Sequence, residues 1–324
     1  ESGKDLSECT HDECDALVAS SFARIVASGE YLALRRSSAS RYAGMRLERA
    51  LRAVARAIVD AARAGAFRPA ELEAPFGPGE SLPALLLGES AVVRGRIDRI
   101  DLAESGGQTY VRVVDYKSSA KAMRLSEVYY GLDLQLCIYL AVASSAGRGY
   151  RPAGCLYSPI VDPIATVSRP EDEREAWRKA LKARGLVVDD GVAPRLMDER
   201  SSGQSPFLQL FFKQDGTLGA ASDAASPEKV RALVRHALAI AAGLVRAAAG
   251  GDTSIAPFEH GGERACTYCP YKPVCQFDVT APPMGYRKLR VLRDEEVWER
   301  IDEESTEEGL TAGDRIEGDD ARAS

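Results

Sequence analysis

Residues 95–117 read GRIDRIDLAESGGQTYVRVVDYK, and no other stretch restricts the fold so tightly. Apolar residues recur at Ile97, Ile100 and Leu102 before a Gly106-Gly107 dipeptide, and at Val111, Val113 and Val114 after it. Paired glycines supply the positive φ angles that a two-residue hairpin turn requires. With those two at the turn, Gln108 pairs with Ser105 and every further pair follows by counting. The count sets Asp98 directly opposite Asp115. Lys117, two residues on, shares that face because side chains alternate along a strand.

Two carboxylates opposed across a ladder repel each other. A cation relieves that cost, and paired carboxylates are the oxygen donors that a hard ion such as Mg²⁺ (or Mn²⁺) takes while keeping room for water and phosphate. Lys117 would then orient or activate an attacking water, or stabilise charge building on a phosphate. An isolated D-x-K is ordinarily a surface hairpin with scattered charges, and a longer loop would slip the register. The second acid at the facing position sets this hairpin apart.

A chain of 324 residues has room for one large domain or two small ones. It contains no run of about 18 apolar residues, so we expect no membrane span, and we expect no signal peptide. It opens on Glu1 rather than Met, so a piece of a longer protein is expected. Seven cysteines are present, three of them within ten residues. That crowding suits a metal or cluster better than a disulfide framework, and implies a reducing cytoplasm. The net charge of −6 speaks against nucleic acid at first sight. Residues 291–324, however, hold 13 acids and 4 bases, which leaves 38 bases against 35 acids in residues 1–290. The body is mildly basic, which permits phosphate contacts without demanding them.

Along the chain, helical periodicity appears over His11–Ser28 and Ser38–Ala64, with Gly65 as a C-cap. Arg49, Arg52 and Arg56 read as a solvated helix face. Glu71–Phe76 alternates as a strand. Leu125–Ala146 reads as one helical run, with Gln135 and Tyr139 one turn apart on a shared face. Glu171–Arg184 reads as a charged helix capped by Gly185, and Phe207–Lys213 as a strand. Ser226-Pro227 opens a helix to about Ala249. Cys137 and Cys155 sit among apolar residues and read as core thiols. Cys266, Cys269 and Cys275 are spaced C-x2-C-x5-C, which fits either an iron–sulfur cluster or zinc.

Taken together, GRIDRID, DYKSS, YYGLDLQLCIYL and CTYCPYKPVCQFD resemble the motif series of RecB-type nucleases in the PD-(D/E)xK superfamily. Within these the chain is similar to the AddB (RexB) type of the ATP-dependent helicase/deoxyribonuclease. The resemblance covers roughly residues 12–290. It implies an α/β fold with a restriction-endonuclease-like core, a central mixed sheet flanked by helices, and a C-terminal iron–sulfur-type cysteine loop. It divides the chain into a helical segment over 1–66, a nuclease domain over 67–290 with the cysteine motif at 266–275, and an acidic tail over 291–324, expected to be disordered.

The activity implied is Mg²⁺-dependent exonuclease cleavage of DNA unwound from double-strand breaks during recombinational repair, with 5′→3′ polarity. Asp98, Asp115 and the Tyr116 carbonyl would bind metal, with Glu73, which fits the family's acid before a Phe-Gly pair, as a further ligand, although the residues alone read Glu73 as an exposed strand acid. Lys117 would be catalytic, and Gln135 and Tyr139 would position DNA. The implied partners are DNA ends and, in a heterodimer, the A-type helicase–nuclease subunit. Cys266, Cys269 and Cys275 would hold a 4Fe–4S cluster in the full-length protein, incomplete here because the family's upstream Cys-Pro-Phe cysteine is absent and neither Cys9 nor Cys14 matches it; the upstream His of RecB-type nucleases, in a G-x-x-x-H context, is absent as well. The alternatives are a catalytically silent DNA-binding or metal-stapled scaffold, and a zinc-bound interaction module. A degenerate nuclease would lose Asp115 or Lys117, and this chain keeps both.

Overall fold

The structure is a computed structural model that describes residues 4–28, 31–88, 91–146, 149–162, 170–281 and 284–304. In chain order the elements are α1 (His11–Ala27), α2 (Ser38–Ala64), β1 (Arg68–Phe76), β2 (Leu85–Leu87), β3 (Ala91–Val93), β4 (Gly95–Ser105) and β5 (Gln108–Lys117). Then come α3 (Leu125–Tyr129), α4 (Gln135–Ala146), β6 (Arg151–Pro159), α5 (Pro170–Ala180), β7 (Arg184–Val188), α6 (Ala193–Met197), β8 (Gly203–Gln204), β9 (Phe211–Phe212) and β10 (Ala224–Ala225). The chain finishes with α7 (Pro227–Ala249), β11 (Phe258–His260), β12 (Glu263–Arg264), α8 (Lys272–Cys275), β13 (Arg287–Leu289) and a helix over 294–304.

The chain forms two compact units. The first comprises Glu1–Leu85, Arg94–Met123 and Tyr139–Pro227. It is built on a six-stranded mixed sheet in the order β1-β4-β5-β6-β7-β10. Strands β1, β4 and β5 form an antiparallel meander, β6 runs parallel to β5, β7 antiparallel to β6, and β10 parallel to β7. The alternation along β4 and β5 sends Ala103, Tyr110 and Leu156 of β6 into one core, with Phe67, Met197, Leu210 and Phe212. Helix α2 belongs to the same unit.

The second unit comprises Leu86–Val93, Arg124–Ile138 and Glu228–Ser324. Here α7 buries Val230, Leu233, Ala237 and Ala241 along one stripe. Helix α7 is long and apolar enough to cross a bilayer by length and composition. Its one-sided burial, with Arg231, Arg235, His236 and Arg246 elsewhere on the helix, is that of an amphipathic core helix. His260 is buried with Nε2 2.9 Å from the Ser126 hydroxyl, which accepts the Leu292 N–H.

Four expectations change. Leu125–Ala146 is not one helix, because Gly131, at φ +74°, breaks it, and a Cβ there would meet Ile240 at 2.7 Å. Gly185 does not cap a helix. It lies in β7, where a Cβ would stand 2.1 Å from the Cys155 carbonyl oxygen, so glycine is what lets β6 and β7 approach. The Phe207–Lys213 strand shrinks to β9. Finally, residues 294–304 are helical, because Leu292, Val297 and Ile301 supply buried apolar anchors and Glu296 accepts the Arg293 N–H at the helix start. The expectation of a disordered tail beyond residue 304 lies outside the described residues.

Candidate active site

The hairpin forms as counted. Ser105 pairs with Gln108 across a Gly106-Gly107 turn whose φ angles are +57° and +72°. The ladder runs without interruption to Arg99↔Val114, one pair short of Asp98 and Asp115. At that next position the Asp98 carboxylate turns across to the neighbouring strand and accepts the Tyr116 backbone N–H at 2.8 Å.

Asp115 is 2% exposed. Lys117 Nζ stands 2.6 Å from its Oδ2 as an ion pair, and no further hydrogen-bond donor reaches this buried oxygen among the described residues. Burial pushes the Asp115 carboxyl above its ordinary range; Lys117 pulls against this and the nearby Asp98 charge adds to it. Lys117 and Lys121 both lie over the ring of the buried Tyr157, at 5.3 and 4.5 Å from its centroid. The parallel pairing of Asp115 with Tyr157 puts that ring on the acidic face. The result is two carboxylates and two ammonium groups converging at the end of a rigid hairpin.

The opposite face of the same strands carries a second charged group that the sequence reading missed. Asp101, fully buried, accepts Arg99 Nε at 2.5 Å and Nη2 at 2.8 Å, and Arg112 Nε at 2.7 Å. Arg99 Nη1 also reaches the Tyr116 hydroxyl at 3.2 Å. Burial pushes the Asp101 carboxyl up, but Arg112 and Arg99 outweigh it and hold the group below the ordinary carboxylate range. Burial also lowers Arg112, against the pull of Asp101. Alternation within R-I-D-R-I-D puts Arg99 and Asp101 together behind Asp98 and was a signal available in the sequence.

The remaining expected site residues divide. Register places Glu73 in the row of Asp98, between Leu72↔Arg99 and Ala74↔Ile97. Yet Glu73 adopts φ +50°, is exposed, and pairs with Arg96 at 3.6 Å, so its carboxylate is not gathered with the other two acids. Gln135 and Tyr139 are half-buried one turn apart on α4, and the Tyr139 ring meets Phe76 edge-on at 6.0 Å. Cys266, Cys269 and Cys275 are only partly buried. Among the described residues no three His, Cys, Asp or Glu side chains gather as a metal-donor set, so these thiols do not converge on a cluster site. The neighbouring Tyr268, Tyr271 and Val274 are largely exposed, so little packing draws the loop together. Cys9 and Cys14 are buried against Val59, and His260 is bonded to Ser126.

The family model of the PD-(D/E)XK nuclease superfamily matches residues 4–276. The chain belongs to this superfamily. It is 39% identical over 251 residues to the B-type subunit of the ATP-dependent helicase/deoxyribonuclease of Symbiobacterium thermophilum, covering 73% of this chain and 21% of that protein. It is 40% identical over 267 residues to the protein of the same name from Moorella thermoacetica, covering 78% of this chain and 23% of that protein. With the Clostridium acetobutylicum protein the figures are 36% over 285 residues, 84% and 25%. The chain thus spans about a fifth to a quarter of the length of these relatives.

PD-(D/E)XK nucleases commonly carry a divalent cation, and the Asp98/Asp115 pair fits one. Asp115 Oδ2 is a buried carboxylate oxygen whose partner among the described residues is the Lys117 ammonium, and the nearby Asp98 charge is unfavourable to it, a cost that a cation shared between the two acids relieves. The cysteine loop, by contrast, does not fit an iron–sulfur cluster in this arrangement.

Proposed function

We propose that this PD-(D/E)XK domain is a Mg²⁺-dependent deoxyribonuclease that hydrolyses phosphodiesters at DNA ends. The observation that carries the reading is the buried Asp115 carboxylate, set beside Asp98 with Lys117 as the partner of its buried oxygen at the end of the hairpin. Asp98, Asp115 and the Tyr116 carbonyl would hold the ion. When bound, Mg²⁺ or Mn²⁺ supplies Lewis acidity toward the phosphate and lowers the pKa of a coordinated water.

The chain's own groups do the rest. The Tyr116 N–H holds one Asp98 oxygen in place and leaves the other for ligation. The Tyr157 ring keeps Lys117 extended along the acidic face. Once Asp115 is engaged elsewhere, the Lys117 ammonium is available to the phosphoryl oxygens, where negative charge builds. Tyr139, in the same unit as the acids, orients the strand from α4.

The named relatives support a wider reading. In it the domain acts as an exonuclease of 5′→3′ polarity beside a helicase–nuclease partner of the A type, on single strands unwound from double-strand breaks during recombination. Seven cysteines, none of them in a disulfide, support a cytoplasmic location. We assign no cluster to the chain as it stands, because the Cys266, Cys269 and Cys275 thiols do not converge.

The test is cleavage of end-labelled single-stranded DNA with Mg²⁺ and with EDTA, in wild type and Asp115→Asn. Cleavage only in wild type with Mg²⁺ is expected. Equal cleavage by Asp115→Asn would overturn the assignment and favour a site elsewhere.

A further inference from the structure

A cavity of about 1160 Å³ opens within the first unit, on the face of β4 and β5 opposite Asp115. It exceeds the roughly 300–1,000 Å³ of ordinary small-molecule sites. Helix α2 and α5 wall it, and Val114, Leu156, Phe207 and Leu208 give it an apolar floor. Its charge is unusual. Two buried arginines, Arg99 and Arg112, share one acid, Asp101, so the network behind the floor carries an excess positive charge.

Arg99 spends its nitrogens on Asp101 and Tyr116. Arg112 is 8% exposed, lies over the Phe67 ring at 4.6 Å and commits only Nε to Asp101. Its two terminal nitrogens have no acceptor among the described residues, and its side chain lines the cavity. Arg178 of α5 also lines the cavity and forms no ion pair among the described residues. Beside it stands Trp177, with the Arg49 guanidinium 5.1 Å over its ring. The acids on the wall are already engaged: Glu48 pairs with Arg52, and Asp60 with His11 and Arg63.

A buried guanidinium fork with open donors beside an apolar, aromatic wall suits an anion with a flat body. Guanidinium matches phosphate and carboxylate bidentately. We propose that this cavity binds a nucleoside phosphate, with Arg112 and Arg178 taking the phosphoryl oxygens and the Trp177–Phe207–Leu208 wall taking the base. The ligand is either a free mononucleotide or the 5′-phosphorylated end of a strand. The site stands apart from Asp98 and Asp115, because alternation puts Arg112 and Asp115 on opposite faces of β5, so it does not depend on the active-site assignment.

The chain has two tryptophans, Trp177 and Trp298, so a Trp298→Phe background isolates the reporter in the cavity. The full 324-residue chain is titrated in EDTA, which prevents turnover, with dAMP, with deoxyadenosine, and with a 5′-phosphorylated and an unphosphorylated oligonucleotide. We expect saturable Trp177 quenching by dAMP and little by deoxyadenosine. Affinity should fall about tenfold or more in Arg178→Ala, the weight of one charge-assisted pair, and be unchanged in Asp115→Asn. Arg112→Met should lose binding as well; if that variant does not fold, the exposed Arg178 decides. Quenching by the phosphorylated oligonucleotide as well as dAMP would identify strand ends, and by dAMP alone a free nucleotide. No saturation, equal affinity for deoxyadenosine, indifference to Arg178→Ala, or loss in Asp115→Asn would each overturn the proposal. The last would place the nucleotide at the acidic face and leave the nuclease reading standing.

Discussion

Asp115→Asn should stabilise the metal-free protein while abolishing its response to Mg²⁺. In the absence of metal, a buried carboxylate charge beside Asp98 carries a desolvation cost of roughly 1–3 kcal/mol. Against that stands the ion pair with Lys117, whose side chain is 26% exposed. Such a pair is worth about 1 kcal/mol or less after solvent screening. Replacing the charge by a neutral amide removes both the cost of burying it and the ion pair, for a net gain of about 1 kcal/mol, or ~2–4 °C in Tm. The pH dependence follows from the direction of the Asp115 shift. Burial raises its folded-state pKa above the ordinary value of 3.8, so its favourable contribution is present below that value and lost as pH rises through the folded pKa. The stability gap between variant and wild type should therefore be widest near neutrality and close in acid. Mg²⁺ at about tenfold above its Kd adds ~1.4 kcal/mol to wild type alone, enough to reverse the order. Differential scanning fluorimetry in EDTA and in Mg²⁺, across pH, reads all three effects. A variant less stable than wild type in EDTA, or one with the full Mg²⁺ shift, would refute the reasoning.

The other perturbations are simpler. Lys117→Ala should keep the Mg²⁺-induced Tm shift, since the lysine is not a ligand, while cleavage falls by about 10²-fold or more; parallel loss of both would make Lys117 a structural residue. Asp101→Asn is the same substitution on the other face with the opposite sign. It leaves Arg99 and Arg112 buried with their shared acid gone, and should cost about 3–5 kcal/mol in urea unfolding. Glu73→Gln should change cleavage less than about twofold, the expectation for an exposed acid outside the ligand set; a loss like that of Asp115→Asn would bring Glu73 back to the metal. Gly185→Ala should destabilise by more than about 2 kcal/mol, since its Cβ would overlap the Cys155 carbonyl; circular-dichroism melts would show it.

Much of the candidate site was legible in the chain because its determinants are local. A Gly-Gly turn sets a register, a register sets pairs, and period-two alternation sets faces, so Asp98, Asp115 and Lys117 could be brought together by counting alone. The same holds for α2 and α7, whose helical periodicity and Ser-Pro start are written in adjacent residues. What counting could not supply was backbone conformation and the packing of distant segments. Glu73 has the right register beside Asp98, but a positive φ and an ion pair with Arg96 take its side chain away. The thiols at 266, 269 and 275 have ligand spacing, but spacing places donors along a chain and not around a point. Gly185 looked like a helix cap until β6 lay against it. Arg49, Arg52 and Arg56 read as a solvated face and keep substantial exposure, but that they also rim a cavity could not be read, because only the fold brings α2 over the strands that bury Arg99, Asp101 and Arg112. Short-range geometry is carried by neighbouring residues; which segments close over those charges depends on contacts between parts of the chain that are distant in sequence.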